Sequence, residues 1–166
     1  MLRELQKNTS KEHHDYNAIE QALELVIEVA GEINSSIKHN EKTQQIIAVQ
    51  KQFSGNIEFV EPGRVFVKDG QMSVMTGKGM KSFHIFLFDD LLVLAKKPNM
   101  FSGYNIIDQI FLSPLSCEVI DHTDKSFELE AESSNIVFTV DSVKSKEEWV
   151  AVLEKCLEVL SMPKRF

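Results

Sequence analysis

Cysteine, tryptophan and surplus positive charge are all scarce in this 166-residue sequence. The two cysteines, Cys117 and Cys156, fit neither a disulfide scaffold nor the ligand spacing of a zinc site. The formal net charge of -7 argues against a general nucleic-acid binder, because phosphate contacts require clustered lysine and arginine. The hydrophobic fraction of 43% is ordinary and predicts one globular domain, alone or with an appendage.

Long apolar runs are also lacking. No segment reaches the roughly 18 to 20 apolar residues of a membrane span, and the charged N-terminal segment has no features of a signal peptide. We therefore expect a cytosolic protein with reduced thiols. The five histidines show no zinc-type spacing, and no Ser, His and Asp lie in the motif context of a nucleophile. We expect neither catalysis nor a metal or other cofactor; the histidines are His13, His14, His39, His84 and His122.

Helical periodicity marks the first third of the chain. A short helix over Leu2 to Lys7 is followed by a polar break, and Asp15 can cap a second helix by accepting from the free amides of its first turn. Apolar residues then recur at spacings of three and four, which predicts an arm of close to forty residues reaching nearly to Phe53. A helix of this kind usually belongs to a bundle. Its stripe comprises Ile19, Leu23, Val26, Ile27, Ala30, Ile33 and Ile37.

From residue 54 onward the period changes from helical to alternating, with breaks at Ser54-Gly55-Asn56 and Pro62-Gly63. Turn signals such as Asp69-Gly70 and Gly77-Lys78-Gly79 separate short strands, and a hairpin around Asp89-Asp90 has two runs apolar enough to pack on both sides. The strand candidates are Val65 to Val67, Gln71 to Thr76, Lys81 to Phe88, Leu91 to Lys97, Tyr104 to Leu112, Cys117 to Ile120, Ser126 to Ala131 and Asn135 to Val140.

A last helix should begin after Asp141-Ser142 or at Ser145 and carry the only tryptophan, Trp149, on its apolar side. The pattern as a whole predicts an α+β chain. Its long N-terminal helical arm is followed by an antiparallel sandwich or barrel of seven or eight short strands, and in a barrel the last helix would plug one open end.

These residues resemble two domains in tandem. The hairpin Phe-Leu-Phe-Asp-Asp-Leu-Leu-Val-Leu and the later Lys-Glu-Glu-Trp-Val-Ala-Val-Leu resemble a pleckstrin homology (PH) domain, a seven-stranded antiparallel barrel closed by a C-terminal helix in which Trp149 would cap the core. The segment before it, including Glu-Ile-Asn, is similar to the final helices of a Dbl homology (DH) domain. This order is typical of Rho-family guanine nucleotide exchange factors, and it implies a DH end over 1–53, a linker over 54–63 and a PH domain over 64–162.

The DH resemblance implies displacement of nucleotide from a Rho GTPase, which is not covalent chemistry. Only the asparagine of Glu-Ile-Asn, Asn34, maps onto a GTPase-contacting position of the family; the other key positions would lie upstream. We therefore expect a chain that is not an enzyme and that has little exchange activity by itself. An ordinary exposed helix residue is the alternative interpretation of Asn34.

The PH resemblance implies phosphoinositide binding by converging cations. Lys81 matches the first cation of the family's Lys-x-Arg pair, but Phe83 stands at the arginine position, and Val74 or a neighbour replaces the first-strand lysine. Lys78 could compensate, and Lys68, Lys96 and Lys97 are expected near the same open end. Residues 56–166 carry 12 basic and 17 acidic side chains, a net charge of -5, so we expect weak lipid binding at most.

Met100 and Phe101 place two large apolar side chains in a turn-rich segment, either as a contact for a partner or membrane or folded back onto the chain.

Two functions stay open. One is the regulatory part of a Rho exchange factor, whose PH domain supports or gates GTPase binding. The other is a stand-alone PH adaptor for membranes or proteins. Both place the protein in the cytoplasm, with peripheral attachment to the inner face of the plasma membrane as an option.

Overall fold

A computed structural model describes residues 2–96, 102–132 and 134–162 of the chain. The predicted α+β architecture is confirmed: a long helical arm, seven antiparallel strands and a closing helix. None of the described helices is long and apolar enough to span a bilayer. The elements are α1 (Leu2–Asn8), α2 (Tyr16–Gln50), β1 (Phe66–Thr76), β2 (Gly79–Phe88), β3 (Leu91–Lys96), β4 (Asn105–Phe111), β5 (Cys117–Thr123), β6 (Ser126–Ala131), β7 (Ser134–Thr139) and α3 (Val143–Ser161).

The chain divides into two compact units, residues 1–42 and 43–166, and the division falls within α2. The first unit holds α1 and most of α2, whose apolar side chains stay largely exposed; the largest are Leu25, Val26, Ile27, Val29, Ile33 and Ile37. The predicted single helix reaching nearly to Phe53 is confirmed. The domain limits 1–53, 54–63 and 64–162 remain a prediction.

In the second unit, the strands follow the order β4-β3-β2-β1-β7-β6-β5, each antiparallel to its neighbours. The sequence suggested two strands separated by a turn at Asp69-Gly70, and this is wrong, because β1 is continuous from Phe66 to Thr76. Gly70 has a different role. A Cβ at this position would lie 3.1 Å from Cζ2 of Trp149, so the glycine lets α3 approach the strand closely.

The barrel interior is filled by what we call the inner core. Trp149 and Leu153 of α3 pack there, with side chains that are 3% and 0% exposed. Of the two predicted starts for this helix, the earlier one is observed: Ser142 is the N-cap and its Oγ accepts from the Ser145 amide at 3.1 Å. The strands contribute Met72, Val74, Phe83, Ile85, Leu87, Leu92, Leu94, Ile110, Phe127, Leu129 and Phe138, among others.

A buried lysine also attaches α3 to the sheet. The Nζ of Lys146 donates to the Asp121 carboxylate and to the backbone oxygen of Thr123, both at the end of β5. This hydrogen bond is the main reason why the pKa of Asp121 lies below its usual value. Lys146 therefore stays buried without leaving its charge unpaired.

Candidate functional site

Two regions of the second unit can carry function, and the predicted lysine site is the first. Lys78 lies in the β1–β2 turn, and Lys81 follows on β2 with Val74 as its cross-strand partner. Both lysines are exposed, and among the described residues neither side chain forms an ion pair. Gly79 in the same turn has a φ of +97°, which a side chain rarely adopts. This end of the sheet therefore presents two available cations.

The two positions at which the sequence resemblance would place further cations are filled by apolar side chains of the inner core. Phe83, at the predicted arginine position, is 9% exposed, and Val74 is 5% exposed. Both side chains pack with other apolar residues inside the barrel. A lysine or arginine at either position would have to be buried among apolar side chains, so the charge arrangement typical of the family is incomplete here.

The expectation that Lys68 lies near the same open end is wrong. Because β1 is continuous, Lys68 and the turn at Lys78 are separated by nearly the full strand, roughly 30 Å at about 3.3 Å per residue. The Nζ of Lys68 instead lies 4.4 Å from the ring centroid of Trp149 and 4.0 Å from Oε2 of Glu148. This lysine packs over the closing helix and is not available to the lysine site.

Lys96 ends β3, is exposed, and has Asn105 as its cross-strand partner. Lys97, Met100 and Phe101 were also candidate residues, and they lie outside the described residues.

The second region is a separate hydrophobic cluster, which we call the junction core. It covers the outer face of β2 and β3, opposite the inner core. The end of α2 contributes Ile46 and Val49, which are 1% and 6% exposed, and the segment after the helix contributes Phe53 and Phe59. The strands contribute Phe86, Phe88, Leu91, Val93 and Ala95. The last two turns of α2 and the following segment are thus folded onto the sheet.

A polar network closes the edge of the junction core. Arg64 binds the Asp90 carboxylate through two nitrogens, with Nε–Oδ1 at 2.6 Å and Nη2–Oδ2 at 2.8 Å, and its Nη1 donates to the backbone oxygen of Phe59 at 2.9 Å. The hydrogen bond to Asp90 raises the pKa of Arg64 above its usual value. Asp89 accepts from the Val65 amide at 2.8 Å. The predicted turn pair Asp89-Asp90 therefore fixes the segment between helix and barrel.

Close backbone contacts complete the attachment. Tyr104 exchanges backbone hydrogen bonds with both sides of Phe53, accepting from the Ser54 amide and donating to the Gln52 oxygen at 2.9 and 2.8 Å. A Cβ at Gly103 would lie 2.5 Å from that same Gln52 oxygen, so only glycine fits. The Gln50 side chain accepts from the Phe59 amide at 2.8 Å. Helix end, linker and β3–β4 segment are therefore held at several points.

Sequence reasoning identified the lysines and predicted that the hairpin of β2 and β3 packs on both sides, but it did not identify the segment that covers the outer face. Phe59 stands in the segment 54–63, which the sequence marked only as a break, and Arg64 follows directly after it. One available signal was the apolar character of β2 and β3 at nearly every position, which requires cover on both faces. Asn34, the predicted GTPase contact, is exposed on α2 in the first unit.

Comparison with known proteins fits this geometry. A family model described as the PH domain of Rho GTPase-activating protein 20 matches residues 66–151, which is β1 through the first half of α3. The chain belongs to the PH-domain family. A human FYVE, RhoGEF and PH domain-containing protein 6 is 28% identical over 160 residues, covering 95% of this chain and 11% of the relative.

Solved structures agree on the fold of this PH-domain chain. A structure of the Vav1 exchange factor, reported for the role of its PH and C1 domains, matches 98% of this chain and 44% of its own at TM-score 0.75 and 19% identity. The PDZ-RhoGEF DH/PH domains, solved with GTP-γ-S-activated RhoA, match 96% of this chain and 51% of their own at TM-score 0.58 and 15% identity. The predicted resemblance to a DH end followed by a PH domain is confirmed.

Proposed function

We propose that this chain is the regulatory end of a Rho-family guanine nucleotide exchange factor, in which the PH barrel holds the last DH helix and supports or gates access of the GTPase. The chain spans about a tenth of the curated relative's length, and that relative's name includes RhoGEF and PH domains. The junction core is the observation that carries the proposal, because a freely linked barrel could not influence the helix before it. The same cluster favours this function over a stand-alone adaptor.

The partner implied is a Rho-family GTPase bound through the complete DH domain. The PDZ-RhoGEF structure supports this class of partner, since its DH/PH domains were solved with RhoA. Exchange factors lower the affinity for nucleotide without making or breaking covalent bonds, so the chain is not an enzyme in the strict sense. Residues 1–53 supply only the end of a DH bundle, so the 166-residue chain should show little exchange activity.

The test uses the longest natural protein that contains this segment, with Arg64→Ala to loosen the junction. Release of labelled GDP from a panel of Rho-family GTPases is measured, with Lys144→Ala on the exposed side of α3 as the matched control. A slower rate would mean that the barrel supports the helix, and a faster rate that it gates access. A rate equal to that of the control would overturn the proposal.

Asn34 is proposed as a direct GTPase contact within the same activity. Its exposure on α2 leaves the side chain accessible. Asn34→Ala should slow exchange by about tenfold, the effect of losing roughly 1.4 kcal/mol of binding at an interface. The adjacent exposed residue gives a matched control, Ser35→Ala. An unchanged rate in Asn34→Ala would remove this residue from the contact.

Membrane attachment is proposed to be weak and peripheral. Lys78 and Lys81 provide two cations, but Phe83 and Val74 belong to the inner core, and the net charge of -7 opposes an anionic leaflet. Co-sedimentation with vesicles containing mono-, bis- or tris-phosphorylated phosphoinositides, at low and physiological salt, tests this. Binding should be slight and lost at physiological salt. Head-group-selective binding that persists there and disappears in Lys78→Ala would contradict the proposal.

A further inference from the structure

The turn between α1 and α2 brings three metal-binding side chains together. The ligand atoms of His13, His14 and Asp15 all lie within 4.8 Å of one another, and among the described residues no other such group of three occurs. Sequence spacing gave no zinc pattern here, because zinc motifs separate their ligands along a helix or between strands. These three residues are consecutive and converge through the turn itself.

Asp15 places its carboxylate between the two imidazoles. Its Oδ1 lies 2.9 Å from Nε2 of His14, and its Oδ2 lies 3.7 Å from Nδ1 of His13. The two rings have centroids 4.9 Å apart at an angle of 38°. The ligand atoms of the three side chains are therefore close enough for one cation to bind all of them.

The state of His13 also suits a ligand. Its Nδ1 accepts a hydrogen bond from the Asp15 amide at 3.3 Å, so a metal bound at this nitrogen would replace that long hydrogen bond. A neutral imidazole binds a metal through its unprotonated nitrogen. At His14 the metal would replace the contact between Nε2 and the Asp15 carboxylate.

We propose that His13, His14 and Asp15 form a zinc-binding site of the first unit, with two imidazole nitrogens, one carboxylate oxygen and water as the fourth ligand. This donor set is typical of Zn²⁺, which prefers four ligands at about 2.0 to 2.2 Å. The side chains are 52%, 85% and 54% exposed, so ordinary rotamer changes bring the ligand atoms to that distance. Because binding orders three exposed side chains, the site is weaker than a buried structural zinc site.

Occupancy would fix the turn between the two helices. Asp15 already accepts from the Ile19 amide through its backbone oxygen at the start of α2, so a metal on its side chain would hold the first turn of that helix. The inference stands on this cluster alone and is independent of the exchange-factor proposal.

The experiment is a calorimetric titration of the 166-residue chain with Zn²⁺ in a buffer that does not bind metal. Wild type is compared with His13→Ala, His14→Ala and Asp15→Asn. The matched control is His122→Ala, because His122 pairs with Glu128 at 3.2 Å but offers only two donors. We expect one saturable site in wild type and in the control, and at least tenfold weaker binding in each of the three variants.

A second measurement removes the dependence on any variant's folding. Imidazole ¹⁵N signals of wild type should shift for His13 and His14 on adding one equivalent of Zn²⁺, while those of His84 and His122 stay in place. No saturable binding below about 1 mM, equal affinity in the three variants, or shifts at other histidines alone would each overturn the assignment.

Discussion

On β2 and β3, one face packs inside the barrel and the opposite face packs against the end of α2. Ile85 and Leu94 are cross-strand partners on the inner side, and Phe86 and Val93 are partners on the outer side. All four are at most 3% exposed. By burial alone the two faces cannot be distinguished. They differ in what covers them, because the inner face meets α3 and the outer face meets the helix that precedes the barrel.

Under the proposed function, this difference separates the core that folds the barrel from the core that attaches the preceding helix. We expect loss of the inner core to unfold the strands, whereas loss of the junction core should release the end of α2 and leave the seven strands paired. The junction core also recruits polar anchors, Arg64 with Asp90 and Gln50 with Phe59, at its edge. A surface that only needed covering would not require them. We infer that the geometry between helix and barrel is itself being held.

The largest expected effect is on the inner core. Trp149→Ala removes a side chain that is 3% exposed and in contact with Gly70, and should cost about 4 to 5 kcal/mol of unfolding free energy. Denaturant unfolding measures this loss of free energy. The control on the same helix is Val159→Ala, at a residue that is 54% exposed. Equal midpoints for the two variants would mean that Trp149 does not close the barrel.

Disrupting the junction core should lower the free energy of unfolding by a smaller amount, and the effect should be local. Phe59 is 1% exposed, with ring centroids 5.0 Å from Phe53 and 5.2 Å from Phe88. Phe59→Ala should lower the unfolding free energy by about 3 kcal/mol, since the linker can relax into part of the space. Amide exchange should rise over residues 43–50 while the β5–β7 amides keep their protection. A uniform rise over both regions would show that the two cores are one cooperative unit.

Removing the hydrogen bonds of Arg64 should lower the free energy of unfolding by a smaller amount still. Arg64→Ala leaves the Asp90 carboxylate and the Phe59 oxygen without this donor and should cost about 1 to 3 kcal/mol. Arg64→Lys keeps the charge but loses the paired geometry, so it should recover only part of the loss. Thermal unfolding of wild type, Arg64→Ala and Arg64→Lys measures these differences in stability. Full recovery in the lysine variant would mean that charge alone matters and the bidentate contact does not.

Much of the fold was readable from local pattern. The helix ending at Gln50 and the strand ending at Phe88 follow from apolar spacing and from the turn pair Asp89-Asp90. The turn predicted at Asp69-Gly70 was wrong, because a glycine in a turn and a glycine at a close packing contact cannot be distinguished in the sequence. Only the position of Trp149, 79 residues away along the chain, explains why Gly70 has no side chain.

The candidate site was harder to predict for the same reason. Lys78 and Lys81 are neighbours across one tight turn, so sequence placed them together. Arg64 and Asp90 are 26 residues apart, and no local rule pairs them. Lys68 was grouped with the turn lysines because the strand between them was not recognised as continuous. Long-range pairing and strand length, rather than residue type, were the missing information.

The smallest expected effect concerns acid stability at the attachment of α3 to β5. The pKa of Asp121 is lowered from 3.8 in the folded chain, mainly by its hydrogen bond with Lys146. The Asp121 carboxylate therefore binds a proton more tightly in the unfolded chain than in the folded chain. Its contribution to the free energy of unfolding is present above about pH 4 and is lost as the pH falls through the lower pKa of the folded chain. Asp121→Asn should flatten the dependence of the melting temperature on pH as the pH falls below about 4.

The matched control for this acid dependence is Asp124→Asn, an exposed aspartate in the β5–β6 turn. Asp121 is itself exposed, so water screens its attraction to Lys146 and the change in slope should be modest. A slope equal to that of the Asp124→Asn control would assign the acid sensitivity to other carboxylates. It would also mean that Lys146 is held chiefly by the Thr123 carbonyl, so α3 would stay attached at low pH while the junction core and the inner core set the stability of the chain.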